Sequence, residues 1–260
     1  MTVNTHPSKK ILALGCSFTD KEYSPKKGPF ANQSWWMWPE LIGHNYKQEV
    51  LNIGRRGNNN VTIFHQLITK VTHHDDIDTV IMLSTEWCRR PNLNPVVTRF
   101  DKNNTLYQRS RAVPVDDSPL HTTHPSLLSK QDIKQRWWGD YYWYWHHHVT
   151  IEEEIHTFFR HLKAMQVFCK YHNKRFIVMQ GLVPLPFTLF KMEPTKGNQL
   201  INDIADEYRF DTEDLIGFPF TQSWLHTANH KQILSNNMHP NAEGQRDIAK
   251  KFIEHIGKSL

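Results

Sequence analysis

The sequence predicts an α/β fold: a three-layer α/β/α sandwich around a parallel sheet of about five strands, with an aromatic-rich insertion. Three observations carry this expectation. Short apolar runs, each ended by a turn or a polar cluster, recur along the chain at Ile11-Leu12-Ala13-Leu14-Gly15, Val50–Ile53, Asp78–Leu83 and Arg175–Gln180. Runs this short read as strands buried on both faces rather than as helices. Helical patterns alternate with them, and three β-then-α units in succession call for parallel strands joined by right-handed crossovers.

Each element has a local cause. The first run leads into Cys16-Ser17-Phe18-Thr19-Asp20, small or polar apart from Phe18, and then into a Pro/Lys/Gly-rich loop through about Pro29. A helix is expected from Ser34, a candidate N-cap, with Trp35, Trp38, Leu41 and Ile42 on one face. The second strand closes on Gly54-Arg55-Arg56-Gly57-Asn58-Asn59-Asn60, and the helix after it places Ile63, Leu67, Ile68 and Val71 at helical spacing. The third strand ends at Ser84-Thr85-Glu86-Trp87.

Residues 88 to about 148 break the rhythm: polar through Lys134, then strongly aromatic from Trp137 to Trp145. This reads as an insertion over an edge or mouth of the sheet, so residues 1–260 are expected to form a single domain. A helix over 150–172 follows, with Thr150 as N-cap and Glu152, Glu153 and Glu154 set against the helix dipole. Pro184, Pro186 and Pro194 mark loops, a helix is expected near 199–208, and an amphipathic helix over 241–256 follows the loop Asn236-Asn237-Met238-His239-Pro240. The sheet these elements imply is flavodoxin-like.

Composition narrows the function. With 260 residues the chain buries a substantial core without disulfides or metals, and 9 Trp, 14 Phe and 8 Tyr supply bulky anchors. The net charge of +5 is mild, and Lys and Arg are scattered rather than gathered in a stripe, which argues against a nucleic-acid footprint. Cys16, Cys88 and Cys169 show neither zinc-ligand spacing nor a disulfide framework. No stretch approaches the roughly 20 apolar residues of a membrane span, and the N-terminus lacks a signal-peptide core. The expectation is a cytoplasmic protein.

In an open parallel sheet, ligands bind beyond the carboxyl ends of the strands. Gly15-Cys16-Ser17, Asn52 to Asn60 and Ser84-Thr85-Glu86 fall at such ends, and the His239 loop can join them there. These segments carry a resemblance. Gly15-Cys16-Ser17-Phe18-Thr19 resembles the first block of the SGNH/GDSL hydrolases, Asn52-Ile53-Gly54-Arg55-Arg56-Gly57 the second, and Asn236 to Gly244 the last, which supplies a catalytic histidine. The Cys-Ser-Phe-Thr form, with Trp38-Pro39-Glu40-Leu41 downstream, is most similar to the phage and bacterial SGNH-like branch, and a viral origin fits that likeness.

The resemblance implies a serine hydrolase acting on a carboxylic ester, with no metal or organic cofactor. Ser17 would be the nucleophile and His239 its base, since a hydroxyl is inert near neutral pH until a base takes its proton. Asn236 stands where the family has the aspartate that orients the imidazole. The oxyanion hole would use the Ser17 and Gly57 N–H groups and a side chain of the third block. There the family's Gly-x-Asn-Asp is replaced by Ser84-Thr85-Glu86-Trp87, which offers Thr85 as donor and places a carboxylate, Glu86, beside it. Glu86, Arg89 and Trp143 are candidate substrate contacts.

The Trp/Tyr block over 137–145 suits the apolar faces of sugar rings and points to an O-acetyl or other short acyl group on a carbohydrate; packing of the insertion onto the core is the competing reading. Asn236 and Glu86 also leave open a catalytically degenerate fold kept as a binding or structural module, for example in a phage particle. His146-His147-His148 point in different directions, so no shared ion is expected there, and Cys16 is expected to be a buried packing residue.

Overall fold

The computed structural model describes residues 9–22, 33–87, 90–91, 98–100, 106–108, 122–123, 150–182, 184, 192–227, 234 and 239–257. Five strands form one parallel sheet: β1 (Lys10–Gly15), β2 (Glu49–Asn52), β3 (Ile77–Ser84), β8 (Arg175–Gln180) and β9 (Leu215–Ile216), in the order β2-β1-β3-β8-β9. The order reverses at β1, whose neighbours are β2 on one side and β3 on the other. The crevice beyond the carboxyl ends of β1 and β3 is therefore the topological switch point of this sheet.

The central strands are buried on both faces, and their alternation sorts the core into two layers. Leu12 and Leu14 of β1, Val80 and Met82 of β3 and Phe176 and Val178 of β8 pack against α2 (Asn60–His73), α3 (Ile151–Tyr171) and α4 (Pro194–Glu207). Ile11 and Ala13, Ile81 and Leu83, and Ile177 and Met179 face α1 (Trp38–Tyr46) and α6 (Ala242–Gly257). Burying each aliphatic side chain of this kind contributes roughly 1.5–3 kcal/mol. The short helix α5 (Trp224–Thr227) adds Trp224 to the second layer.

The helices start where local chemistry and tertiary contacts agree. Thr150 caps α3 through a capping box with Glu153. Asn59 caps α2, its Oδ1 accepting from the Thr62 N–H at 2.8 Å, and Asn241 caps α6 by accepting from the Glu243 and Gly244 N–H groups, each at 3.0 Å. Two expectations are corrected here. The first helix begins at Trp38 rather than near Ser34, because Pro39 sits in its opening turn and the Trp38 N–H is taken by Gln245 Oε1, 2.9 Å away on α6. Likewise α4 begins at Pro194, a proline that opens a helix instead of marking a loop.

Within the insertion, β4 (Arg90–Pro91) pairs with β7 (Thr122–Thr123), and β5 (Thr98–Phe100) with β6 (Leu106–Gln108), both antiparallel. The aromatic block over 137–145 and the His146–His148 run lie outside the described residues. Among the described residues, no helix is long and apolar enough to cross a membrane.

Candidate active site

The turn after β1 is built by its own backbone. The Cys16 carbonyl accepts from the Thr19 and Asp20 N–H groups at 2.9 and 3.1 Å, and Cys16 itself is buried in the α1/α6 layer. This tight turn leaves the side chain of Ser17 partly exposed at the end of β1. Gly15 is required beneath it, because a Cβ there would collide with the Thr19 side chain and press on the Leu83 carbonyl.

His239 comes to Ser17 from the far end of the sequence. Its Nε2 lies 2.8 Å from Ser17 Oγ, and Phe18 holds the imidazole edge-on with ring centroids 5.3 Å apart. Phe18 is braced in turn by Trp224 at 6.0 Å. The α6 helix is tied to this turn by Gln245, which donates to the Phe18 carbonyl at 3.2 Å while accepting from the Trp38 N–H. Gln245 therefore couples the Ser17 turn, the start of α1 and the helix that follows His239.

The loop after β2 is fastened to the same turn. Asn52 donates to the Thr19 carbonyl and to Glu40 Oε1, each at 2.9 Å, and accepts from the Gly54 N–H at 3.0 Å. Asp20, 8% exposed, accepts the Arg56 N–H at 3.0 Å on Oδ2, and the Arg56 Nε sits 3.6 Å from the same oxygen. Asn58 donates to the Gly15 carbonyl and to Gln66 Oε1, each at 3.0 Å. Between Arg56 and Asn58, Gly57 adopts φ +79°, a left-handed conformation that glycine takes without steric cost.

Thr85, expected as an oxyanion donor, follows β3 directly. It is fully buried; its hydroxyl donates to Glu86 Oε2 at 2.6 Å and its N–H to Asn60 Oδ1 at 3.3 Å. Both of its donors are engaged inside the protein. Glu86 is partly exposed at the end of β3. Behind it, Gln180 donates to the carbonyls of Thr85 and Leu182 at 3.0 and 2.7 Å and accepts from the Trp87 indole at 3.0 Å.

Ser17, Gly57, Glu86 and His239 thus belong to segments that meet at the carboxyl edge, whereas Asn236, Arg89 and Trp143 lie outside the described residues. Asp20, Asn60, Gln180 and Gln245 were not singled out by sequence. Their signal was only a polar residue beside a recognisable block or, for Gln180, at the end of a strand run, and their partners are up to 227 positions away. Among the described residues, no group of three or more His, Cys, Asp or Glu could hold a metal ion.

No protein-family model matches the chain, and neither does any curated protein sequence. Solved structures do. The psychrotrophic esterase EstA from Pseudoalteromonas sp. superposes with a TM-score of 0.50 at 13% identity, covering 97% of this chain and 99% of the esterase. A protein described as lipolytic and of the G-D-S-L family, from Desulfitobacterium hafniense DCB-2, gives 0.49 at 15% identity over 95% of this chain and 99% of that one. The acetylxylan esterase Axe2 from Geobacillus stearothermophilus gives 0.47 at 15% identity over 96% and 94%. At these identities a likeness speaks for architecture alone: the chain shares its overall fold, a five-stranded parallel sheet between helix layers, with EstA.

Proposed function

We propose that this chain is a serine hydrolase that cleaves a carboxylic ester, with Ser17 as nucleophile and His239 as general base. The observation that carries the reading is the 2.8 Å approach of His239 Nε2 to Ser17 Oγ at the switch point of the sheet. In this reading Ser17 Oγ–H donates to Nε2, and attack on the ester carbonyl moves that proton to the imidazole. Collapse of the tetrahedral intermediate returns it to the departing alcohol. Water then attacks the acyl-serine by the same route, giving the acid and free Ser17.

Developing charge on the carbonyl oxygen is met by the N–H groups of Ser17 and Gly57. With Thr85 engaged elsewhere, the hole relies on backbone donors, and Glu86 stands at its rim as a group that favours a neutral or hydroxyl-bearing substrate. Asn236 is the proposed orienter of the imidazole, its side-chain carbonyl accepting from Nδ1–H. The favoured substrate is an O-acetyl or other short acyl ester of a carbohydrate, with Trp143 and Arg89 of the insertion as contacts to the alcohol part. The residues 1–260 act as one domain in this proposal.

Labelling with a fluorophosphonate, mapped by mass spectrometry, tests it. Modification at Ser17 that disappears in Ser17→Ala and in His239→Ala is the expected result. A folded protein that stays unlabelled would favour the second reading, a degenerate hydrolase fold that binds a ligand without turnover. The specific observation behind that alternative is the Thr85–Glu86 hydrogen bond, in which the hydroxyl expected as a third donor is taken by a carboxylate.

A further inference from the structure

A second feature lies between two helices that are tied to the Ser17 turn through Gln245. The helices α1 and α6 pack side by side, with Trp38 stacked on Phe252 at 4.8 Å. Between their first turns lies a cleft of about 230 Å³ lined by Trp35, Trp36, Leu41, Ala242 and Arg246. Gln245, next to Arg246, reaches the Phe18 carbonyl, so this end of α6 adjoins the nucleophile turn. Ala242 follows His239 by three residues, which keeps their Cα atoms within about 11 Å of each other.

The lining has a specific chemistry. Trp36 is 57% exposed, and its ring is steadied edge-on by His44 at 5.2 Å. Arg246 is exposed and makes no hydrogen bond or ion pair among the described residues. An indole face offered beside an unengaged guanidinium suits a ring that is apolar on one face and carries a carboxylate at its rim. The volume falls below the usual range for drug-sized ligands and takes one such ring rather than a chain of them.

We propose that this cleft is a subsite for one acidic sugar unit, a carboxylated pyranose such as a uronic acid, of the glycan whose ester is presented to Ser17. The sugar's apolar face lies on Trp36 and its carboxylate receives the forked N–H groups of Arg246. A polyanion such as nucleic acid fits less well. It requires several cations along a track, whereas Arg246 is the one cation among the described residues that line this cleft.

The proposal rests on the esterase reading for its link to Ser17, but the binding is measurable without turnover. Calorimetric titration of the full-length Ser17→Ala protein with trigalacturonate, xylotriose and a short oligothymidylate makes the test. Trigalacturonate is expected to bind, and Arg246→Gln and Trp36→Ala, added singly, each weaken it about tenfold or more with unchanged circular dichroism. Xylotriose binds more weakly, and Arg246→Gln does not alter it. No trigalacturonate binding, or binding that neither variant changes, overturns the subsite. Equal or tighter binding of xylotriose or oligothymidylate overturns the acidic-sugar assignment. Trigalacturonate binding without ester turnover in the unaltered protein sinks the esterase reading alone, and turnover without that binding sinks the subsite alone.

Discussion

Asn60 holds the chain just past β3 with both ends of its side-chain amide. Its Oδ1 accepts from the Thr85 N–H at 3.3 Å, while its Nδ2 reaches the carbonyls of Thr85 and Glu86 at 3.4 and 3.3 Å. The side chain is 5% exposed and sits at the first position of α2, so the second and third blocks are joined through it. Asn60→Ala leaves three backbone groups, two of them on the fully buried Thr85, without this partner. We expect a loss of about 1–3 kcal/mol, read as a lower midpoint in urea unfolding with an unchanged slope.

Ser17 and His239 should behave as one unit. Each alanine variant is expected to lower kcat by about 10⁴-fold or more, and the double variant should be no worse than the poorer single one within about threefold. Steady-state kinetics on a short-chain aryl ester measures this. Losses that multiply in the double variant would show that the two residues act independently.

Asp20 is expected to position Gly57 without touching substrate. Its carboxylate fixes the N–H of Arg56, the residue immediately before the proposed oxyanion donor. Asp20→Asn should therefore lower kcat by about 10- to 100-fold with KM little changed, since a small misplacement of a transition-state donor costs rate rather than ground-state binding. Arg56→Gln, which keeps the backbone N–H, should cost less than about tenfold. Equal losses in the two variants would place the effect in the Arg56 side chain instead.

The acid limb of stability should report Asp214. Burial pushes its carboxyl up, but hydrogen bonds from Arg175 at 2.6 and 2.9 Å and the nearby His255 outweigh burial and hold it below the ordinary carboxylate range. A depressed folded-state value means that the unfolded chain takes up the proton first. The stabilisation is thus present above the ordinary Asp pKa of about 3.9 and is lost as pH falls below it, through the folded value. The stability gap between the unaltered protein and Asp214→Asn should be present at pH 5 and shrink as pH falls below about 4, measured by urea unfolding across that range.

Cys169 should be silent in the native protein. Burial pushes its thiol up to about 12, so almost no thiolate exists at pH 8. Mass-spectrometric mapping after treatment with a thiol reagent at that pH should find Cys169 unmodified until denaturant is added. Modification at native conditions would mean that the α3 layer opens readily.

Much was determined by sequence alone, because it depends on local order along the chain. Buried parallel strands must be apolar on both faces, so Ile11–Leu14 and Phe176–Met179 were visible as runs, and Thr150 with Glu153 marked the start of α3 by short-range chemistry. Ser17 and His239 could be named because each stands in a block with its own neighbours. The two-residue strand β9 had too short a run to be read. The true start of α1 also escaped, because its first N–H is taken by Gln245, 207 positions away. Only the tertiary structure brought His239 Nε2 to Ser17 Oγ, engaged both donors of Thr85, and set Trp36 beside Arg246. Those relationships depend on how the sheet order and helix packing fold distant segments onto one edge, a distance in space that separation along the chain does not encode.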